Sequence, residues 1–269
     1  MIPRYTVSEL MAVAVSRELR DGDHAFVGLG TGGRAFVNAV GVPSVGIELA
    51  RRRGLDVVAQ YGVLYEPDLA HPPRCFADPY LIRWPAKAHV AVDEGLDTFR
   101  RGKITVSFIS GAQIDPYGNL NSVAIGPDHR RPEVRLTGPI AQTDHAVYAG
   151  RTIIILPHAR RTFVPRVDFI SAVGYLGGPG DRERLGLPGG GPSVVITDLA
   201  VLRFHPVTRR MELESVHPGV TIQQVAEATG FEVVPPREVP ATLPPSPEEL
   251  RLIREEIDPH GIWLGGGAR

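Results

Sequence analysis

The sequence predicts an α/β fold: an open, mostly parallel sheet with flanking helices, followed by a C-terminal hairpin and a helical arm. Three observations support this prediction. Short runs rich in Val and Ile alternate with helical segments through the first half of the chain. Glycine-rich loops follow several of these runs, as they do at the strand ends of open α/β sheets. In the second half, two apolar runs meet at a turn that is typical of a hairpin.

Helix starts are marked by capping patterns, in which a Ser or Thr side chain is followed three residues later by Glu or Gln. The three patterns are Thr6 with Glu9, Thr221 with Gln224, and Ser246-Pro247 with Glu249. The first helix should end near Gly22, and the second should cover residues 221–229. Further helices are predicted over residues 44–53 and 95–101.

Strands are predicted where short runs of Val and Ile lie between turn residues. These runs cover residues 25–29, 55–59, 89–92, 104–109, 152–156, 193–204 and 211–216. Residues 176–192 read as a mobile loop, too polar and glycine-rich to pack, and 235–247 as an extended connector. We expect a single domain over residues 1–269, with 235–269 forming its C-terminal connector and helix.

Composition excludes several classes of protein. The chain has 29 Lys and Arg against 30 Asp and Glu, so it lacks the basic excess that nucleic-acid binding normally requires. Its least charged stretch, residues 25–47, is too rich in glycine to be a membrane span. The start of the chain has no apolar signal core, and Cys75 cannot form an internal disulfide. We therefore expect a soluble cytoplasmic protein without nucleic-acid or membrane partners, whose 30 Gly and 25 Pro occupy ordered loops.

Motifs of common enzyme classes are missing from the sequence. It has no G-x-S-x-G elbow, no H-E-x-x-H and no Walker loop, and its 9 histidines lack zinc-ligand spacing, so no metal is expected. The loop at residues 28–33 contains Gly30 and Gly32 and follows a predicted strand. It departs from the dinucleotide-binding register, so a tight strand-to-helix turn is the favoured interpretation. Whether this turn also lines a ligand pocket at the strand ends stays open.

Two polar loops are the strongest candidates for ligand contacts. Residues 110–122 follow a predicted buried strand and bring glycine, glutamine and asparagine into one short stretch. Residues 136–144 form a second polar loop before the next strand. Such strand ends commonly carry ligand contacts in α/β proteins, although ordered turns without a ligand have a similar composition.

These loops resemble the B, or β, subunit of family I coenzyme A transferases of the glutaconate CoA-transferase type. That family shows a segment similar to Gly-Ala-x-Gln-Ile/Val-Asp-x-Tyr-Gly-Asn-x-Asn, and residues 111–121 read Gly-Ala-Gln-Ile-Asp-Pro-Tyr-Gly-Asn-Leu-Asn. The loop at 138–144, the stretches at 158–164 and 167–170, and the segment at 216–221 also resemble the family. The resemblance extends from about Thr6 to about Asp258.

The resemblance implies an enzyme that is active only with an α subunit, as a heterodimer or an α2β2 assembly. The active site would lie at the subunit interface, and CoA would pass between carboxylic acids through acyl-anhydride and glutamyl-thioester intermediates. The CoA thioester would be a substrate, with no cofactor bound permanently. The implied substrate- or CoA-binding residues are Gly30, Gly32, Gly62, Gly111, Ala112, Gln113, Asn119, Asn121, Gly138 and Asp144.

The sequence departs from the family at the nucleophile. The family has Glu-x-Gly after an early strand, whereas this chain has Gln60-Tyr61-Gly62, and an uncharged amide cannot form an acyl anhydride. Glu66 lies six residues later and is a weaker candidate for the nucleophile, because its setting does not match the motif. The departure leaves two alternatives open: the β subunit of a CoA-ester ring-opening hydrolase of steroid degradation with the catalytic glutamate on its α subunit, and a non-catalytic structural subunit.

Overall fold

The computed structural model describes residues 4–28, 33–73, 78–233, 235 and 238–265. The chain divides into two compact units, one running to Phe108 and resuming at Leu243, the other spanning Ile109–Thr242. Helices and strands alternate as expected, so the predicted α/β class is confirmed. The single domain expected over residues 1–269 stays a prediction.

The first unit is built on a layer of five strands. Its elements are α1 (Val7–Glu18), β1 (Asp23–Val27), α2 (Gly33–Phe36), a π-helical turn (Val37–Gly41), α3 (Val42–Arg52), β2 (Val57–Tyr61), β3 (Leu64–Pro67), a 3-10 turn (Pro79–Arg83), β4 (Ala86–His89), α4 (Val92–Arg100) and β5 (Val106–Ile109). The strand order is β5-β1-β2-β3-β4. β1 pairs in parallel with β2 and β5, whereas β3 is antiparallel to both β2 and β4.

Close packing of α1 on α3 explains a glycine within a helix. A β-carbon at Gly46 of α3 would lie 2.5 Å from Cγ1 of Val15 on α1, which is closer than any real contact. Both helices bury a nearly continuous apolar face here, including Leu10, Val15 and Ile47. The capping box of Thr6 and Glu9 is present at the start of α1, as predicted.

The second unit carries a layer of four strands and two small strand pairs. Its elements are β6 (Gln113–Ile114), β7 (Leu120–Asn121), β8 (Ala124–Ile125), β9 (Val134–Arg135), α5 (Gln142–Tyr148), β10 (Arg151–Ile155), α6 (Asp181–Arg184), β11 (Pro192–Ile196), β12 (Ala200–Phe204), β13 (Met211–Val216) and α7 (Ile222–Ala228). The order is β13-β12-β11-β10, with β10 and β11 parallel and the other neighbours antiparallel. β6 pairs with β7 and β8 with β9, both antiparallel.

The C-terminal segment packs on the first unit. It comprises α8 (Pro247–Arg251) and a π-helical turn (Leu252–Ile257), and α8 begins with the predicted capping box. Trp263 stacks on Phe36 at a ring-centroid distance of 5.8 Å, and its indole donates to the Leu69 carbonyl at 3.1 Å. A β-carbon at Gly41 would overlap the Trp263 backbone, so this contact requires glycine.

Three local predictions were wrong. The run at 89–92 is not a strand, because β4 ends at His89 and Val92 begins α4, where Glu94 accepts from the Ala91 N–H. The run at 193–204 contains a tight turn, since the Thr197 hydroxyl accepts from two following backbone amides and separates β11 from β12. Each run holds apolar residues on both sides of a turn, and periodicity alone does not show that break.

The third error concerns residues 176–192, which were predicted to be too polar and glycine-rich to pack but are anchored by a buried side chain, although many of them are exposed. They contain α6, and its Arg182 is only 4% exposed. The guanidinium donates to the carbonyls of Gly174, Ala146 and Gly189 at 3.0, 3.0 and 2.9 Å. A single buried cation therefore organises a segment whose composition is typical of a flexible loop, because it satisfies carbonyl groups that would otherwise lack partners.

Candidate functional site

Gln60 lies near the end of β2, in a strand paired on one side with β1 and on the other with β3. Its side chain is fully buried. The amide nitrogen donates to the Gly62 carbonyl at 2.9 Å and the Gly95 carbonyl at 3.2 Å, while the Thr98 hydroxyl lies 3.3 Å from the amide oxygen. Gln60 therefore joins the turn after β2 to helix α4.

The partners of Gln60 favour an amide over a carboxylate at this position. A carboxylate has no hydrogen to donate, so it would place an oxygen against the carbonyl oxygens of Gly62 and Gly95. The Gly95 carbonyl would keep its hydrogen bond from Thr98, but no other donor to the Gly62 carbonyl is found in the described structure. The local structure is thus complementary to a neutral, donating side chain.

Aromatic and imidazole side chains adjoin Gln60. Tyr65 is its partner in the β2–β3 register, and the Tyr65 ring lies 5.7 Å from the His24 imidazole. Burial lowers the pKa of His24, although the Gln60 side chain and the Glu66 carboxylate act in the opposite direction. At neutral pH His24 is therefore an uncharged polar neighbour of this cluster.

Glu66 belongs to the other face of the β2–β3 hairpin. One of its carboxylate oxygens accepts from Arg51 and from the Ala59 N–H, both at 2.5 Å, and Arg51 lies on α3. Gln60 instead contacts α4. Glu66 also has a φ of 49°, a left-handed conformation that its two hydrogen bonds help to maintain. The carboxylate anchors the edge of β2 and is not brought together with Gln60.

Of the glycines predicted in this part of the chain, one lies beside Gln60. Gly62 has a φ of 59° in the turn between β2 and β3, and its carbonyl is the acceptor for the Gln60 amide. Gly30 and Gly32 lie outside the residues that the structure describes.

A second polar cluster lies in the β6–β7 region. Gln113 and Asn121 face each other in the β6–β7 register. The Asn121 amide donates to the Gln113 oxygen at 2.7 Å and to the Ala124 carbonyl at 2.6 Å. Gln113 in turn donates to the Asp168 carboxylate at 3.0 Å and accepts from the Asp168 N–H. The two predicted binding residues are brought together, and each uses both ends of its amide within the protein.

Asn119, in the turn between β6 and β7, forms hydrogen bonds with Asp115 and with residues 174–176. Its amide nitrogen donates to Asp115 at 2.8 Å and to the Leu176 carbonyl at 2.9 Å, and its oxygen accepts from the N–H groups of Gly174 and Leu176. Burial raises the pKa of Asp115, opposed by hydrogen bonds from Asn119 and Tyr117. Asn119 therefore ties residues 174–176 to the loop that contains it.

The remaining predicted residues are backbone positions around these amides. The Ala112 N–H donates to the Asn121 carbonyl at 2.9 Å, and a β-carbon on Gly111 would lie 3.2 Å from the Leu120 side chain. Gly138 has a φ of 93° and donates its N–H to the Ser122 carbonyl. Asp144 lies half-buried in the first turn of α5. The structure thus places Gly111, Ala112 and Gly138 on loops joined by hydrogen bonds, and Asp144 at the start of α5.

Several residues of these clusters have no signal in the sequence. Gly95 and Thr98 come from α4, far along the chain from Gln60, and no pattern links them. Gln142 bridges the two loops, because it donates to the Ser110 carbonyl at 2.7 Å and accepts from the Ser122 hydroxyl at 2.9 Å. For Gln142, the sequence gives a weak signal, because this residue lies in the same polar loop as Asp144.

Within the described residues, no group of three or more His, Cys, Asp or Glu side chains is arranged to hold a metal ion. In that same part of the chain, none of the helices has the length and apolar character needed to cross a bilayer.

Comparison with known proteins places the chain in a family. The coenzyme A transferase family model matches residues 8–228. The chain is 34% identical over 269 residues to the B subunit of glutaconate CoA-transferase from Acidaminococcus fermentans, covering 97% of this chain and 95% of that protein. It is 36% identical over 260 residues to the B subunit of 3-oxoadipate CoA-transferase from Pseudomonas knackmussii, covering 93% and 92%.

A third relative is a hydrolase subunit. The cholesterol ring-cleaving hydrolase IpdB subunit of Rhodococcus jostii is 34% identical over 150 residues, which cover 56% of this chain and 58% of the relative. Among solved structures, glutaconate coenzyme A-transferase from Acidaminococcus fermentans matches with a TM-score of 0.82 and 32% identity, covering 98% of this chain and 99% of that one. The chain therefore belongs to the coenzyme A transferase family, and it is a subunit of the B type.

Proposed function

We propose that this chain is the β subunit of a cytoplasmic family I CoA-transferase, and that it forms with an α subunit a pocket in which CoA passes between carboxylic acids. The observation that carries the proposal is similarity to two transferase B subunits along almost the whole of each chain. The CoA thioester is then a substrate and not a resident cofactor. Its acid is of the class named by those relatives, a dicarboxylate such as glutaconate or 3-oxoadipate.

In this proposal Gln60 is a binding residue and not the nucleophile that attacks the CoA thioester. In covalent CoA transfer, a carboxylate adds to the thioester carbonyl and expels the CoA thiolate, which leaves an acyl anhydride on the enzyme. The amide of Gln60 has no such oxygen nucleophile, and its nitrogen already donates to two carbonyls. We therefore assign Gln60 to the wall of the pocket, as the residue that holds the Gly62 turn in place beside the acyl group. The resemblance also implies substrate or CoA binding by Gly62, Gly111, Ala112, Gln113, Asn119, Asn121, Gly138 and Asp144, and by Gly30 and Gly32, which lie outside the described residues.

The nucleophilic carboxylate must then come from elsewhere in the complex. Glu66 is the candidate within this chain, but its carboxylate is held by Arg51 and the Ala59 N–H on the face away from Gln60. We expect the α subunit to supply the carboxylate.

A CoA-ester hydrolase is the second candidate, and Gln60 is the observation that favours it. A β subunit that lacks the nucleophile suits an enzyme in which the α subunit activates water, and one relative is a ring-cleaving hydrolase subunit. Transfer and ring opening differ in the bond that breaks: transfer breaks the thioester bond and moves CoA to a second acid, whereas ring opening adds water across a carbon–carbon bond of a cyclic acyl group and needs no second acid.

The test uses the purified pair of subunits with acetyl-CoA and isotopically labelled glutaconate or 3-oxoadipate. Transfer predicts label in a new CoA ester. A ring-opening hydrolase predicts no labelled ester, and it predicts that a cyclic acyl-CoA offered in place of acetyl-CoA gains one water without any added acid. The chain alone should do neither, and turnover by the chain alone would contradict the need for a partner.

Trapping with borohydride locates the nucleophile. Borohydride reduces a glutamyl thioester to a stable alcohol, which mass spectrometry of both subunits then detects. We expect the modified glutamate in the α subunit and none in this chain. Modification of Glu66 would refute our assignment, and loss of that product in Glu66→Gln would confirm the refutation. Glu48, which pairs with the same Arg51, provides the matched control Glu48→Gln.

A further inference from the structure

One ring nitrogen of His24 is buried without a hydrogen-bond partner. The Nε2 atom is shielded from solvent, and no donor or acceptor among the described residues meets it in hydrogen-bonding geometry. Buried polar atoms without a partner are rare in folded proteins, so each one needs a physical reason. His24 lies on β1, in the same unit as Gln60.

The strand register places His24 on the same face of the sheet as Gln60. In the parallel β1–β2 pair, Phe26 lies opposite Gln60 and His24 lies opposite Val58. Residues two apart on a strand point to the same face, so His24 is a diagonal neighbour of Gln60. Helix α4 covers this face, since the Phe26 ring lies 4.6 Å from the ring of Phe99.

The position of Tyr65 shows that the His24 ring extends toward Gln60. Tyr65 lies opposite Gln60 in the β2–β3 register, and its ring centroid is 5.7 Å from that of His24. The His24 ring therefore reaches across β2. The pKa of His24 reflects the same proximity: burial lowers it, whereas a hydrogen bond with the Gln60 side chain and the charge of Glu66 act in the opposite direction.

The Gln60 amide oxygen lacks a strong donor. The amide nitrogen donates to the carbonyls of Gly62 and Gly95, so the oxygen is directed away from them. Among the described residues, the donor found for this oxygen is the Thr98 hydroxyl at 3.3 Å. That hydroxyl has one hydrogen, which the Gly95 carbonyl accepts at the shorter distance of 2.6 Å. A fully buried acceptor is thus left with a shared hydrogen.

We propose that His24 is a positioning residue for the reaction: its Nε2–H donates to the Gln60 amide oxygen and thereby fixes the amide that holds the Gly62 turn. The contact gives the His24 nitrogen a partner and the Gln60 oxygen a full donor. Because an amide oxygen only accepts, the neutral imidazole must carry its hydrogen on Nε2. Hydrogen bonds in a chain strengthen one another, so this donor also strengthens the bond from Gln60 to the Gly62 carbonyl.

The role of His24 rests on the proposed function, in which Gln60 and the Gly62 turn lie beside the acyl group. His24 itself does not touch the thioester. It maintains the shape of the pocket wall, which contacts the bound substrate and the transition state alike. An interaction of that kind affects KM and leaves kcat unchanged.

The kinetic test uses the purified pair of subunits and two variants of His24. His24→Leu has no donor and should raise the KM for the acyl-CoA by about tenfold, the effect of one buried hydrogen bond, with kcat within about twofold of the natural value. The side-chain nitrogen of glutamine can take the place of Nε2, so His24→Gln should restore most of the loss. His89→Leu is the matched control, because His89 is exposed on β4 opposite Leu64, outside this cluster, and it should change neither constant.

Nuclear magnetic resonance of the full chain tests the contact without any measurement of activity. The ring signals of His24 are assigned by their absence in His24→Gln, and their titration gives its pKa. Gln60→Met removes the acceptor and should lower the pKa of His24 further, because the hydrogen bond to Gln60 favours the charged ring. The titration of His89 should be the same in both proteins.

Three results would overturn the inference: an unchanged KM in His24→Leu, a loss confined to kcat, or a folded His24→Gln that does not restore KM. A pKa of His24 that is unchanged or raised in Gln60→Met would overturn it as well. Circular dichroism shows which variants are folded, and the titration decides if His24→Leu does not fold. If the natural pair of subunits turns over no acyl-CoA, the proposed function fails, while the titration still decides whether His24 donates to Gln60.

Discussion

Replacing Gln60 with glutamate tests the interpretation of this residue most directly. The variant introduces the nucleophile type that the resemblance implies at this position, but it removes the amide donor to the Gly62 carbonyl and places an ionisable group in a fully buried position. Burial with few donors raises a carboxyl pKa, and buried glutamates with pKa values of about 8–9 are known. The protonated form of the introduced carboxyl can still donate to the Gly62 carbonyl, whereas the ionised form cannot. The cost of the substitution should therefore depend on pH.

The magnitude follows from the linkage between protonation and folding. An unfolded glutamate has a pKa of about 4.3, and each pH unit between the unfolded and the raised folded pKa costs about 1.4 kcal/mol. If the pKa of the introduced carboxyl in the folded chain lies above 7, the free energy of unfolding of Gln60→Glu is lower than that of the natural chain by about 1 kcal/mol at pH 5 and by about 4 kcal/mol at pH 7. Because the pKa of this carboxyl is raised in the folded chain, the loss of stability is small at low pH and grows as pH rises.

Urea unfolding followed by tryptophan fluorescence measures this deficit, because Trp84 and Trp263 are both buried in the unit that contains Gln60. Gln60→Met is the matched control, since it removes the same donor without adding a titratable group and should lose stability equally at both pH values. A deficit of Gln60→Glu that does not change between pH 5 and pH 7 would refute the reasoning. Any transferase activity gained by the variant should increase with pH, because only the ionised carboxylate attacks a thioester.

Three further predictions concern the second unit, each measured by urea unfolding followed by circular dichroism. Arg182→Ala should lower the free energy of unfolding by about 3–5 kcal/mol, because three carbonyls lose a buried donor. Arg184→Ala on the same short helix should change it by less than about 0.5 kcal/mol, since the ion pair of Arg184 is at the surface. Equal effects of the two variants would contradict the anchoring of residues 176–192 by Arg182. Asn119→Ala should lower the free energy of unfolding by about 3 kcal/mol, since two backbone N–H groups lose their acceptor. A decrease below about 1 kcal/mol would show that water replaces the side chain. Burial lowers the pKa of His145 to about 3, so the unfolded chain takes up a proton between pH 6.5 and pH 5 that the folded chain does not. His145 should therefore lower the free energy of unfolding by about 2 kcal/mol over this pH range. His145→Leu should remove that part of the pH dependence, and an unchanged pH profile would exclude His145 as its source.

Local patterns in the sequence were sufficient where a feature depends on residues close along the chain. The capping boxes at Thr6, Thr221 and Ser246 are all present, because a cap needs only a side chain and a backbone N–H three residues away. The order of most strands and helices follows for the same reason. The break at Thr197 and the start of α4 were missed, since apolar residues on both sides of a turn look like one continuous run.

Long-range contacts do not follow from the same patterns. The segment 176–192 looked mobile because its composition is that of a loop, yet Arg182 packs it through carbonyls at residues 146, 174 and 189. Nothing near α6 in the sequence indicates those partners. Gln113, Asn119 and Asn121 stay predicted binding residues, and their hydrogen bonds to Asp168, Gly174 and Leu176 are visible only in the folded chain.

By itself, the sequence determined the α/β class and the family resemblance, and it predicted that Gln60 stands in the place of the family's glutamate. It could do so because these features reside in residue identity and short spacing. Only the tertiary structure decided that Gln60 donates to Gly62 and Gly95, and that Glu66 is held on the other face by Arg51. Each of these depends on segments that are distant in sequence and are brought together by burial of the core, so no local pattern could contain them.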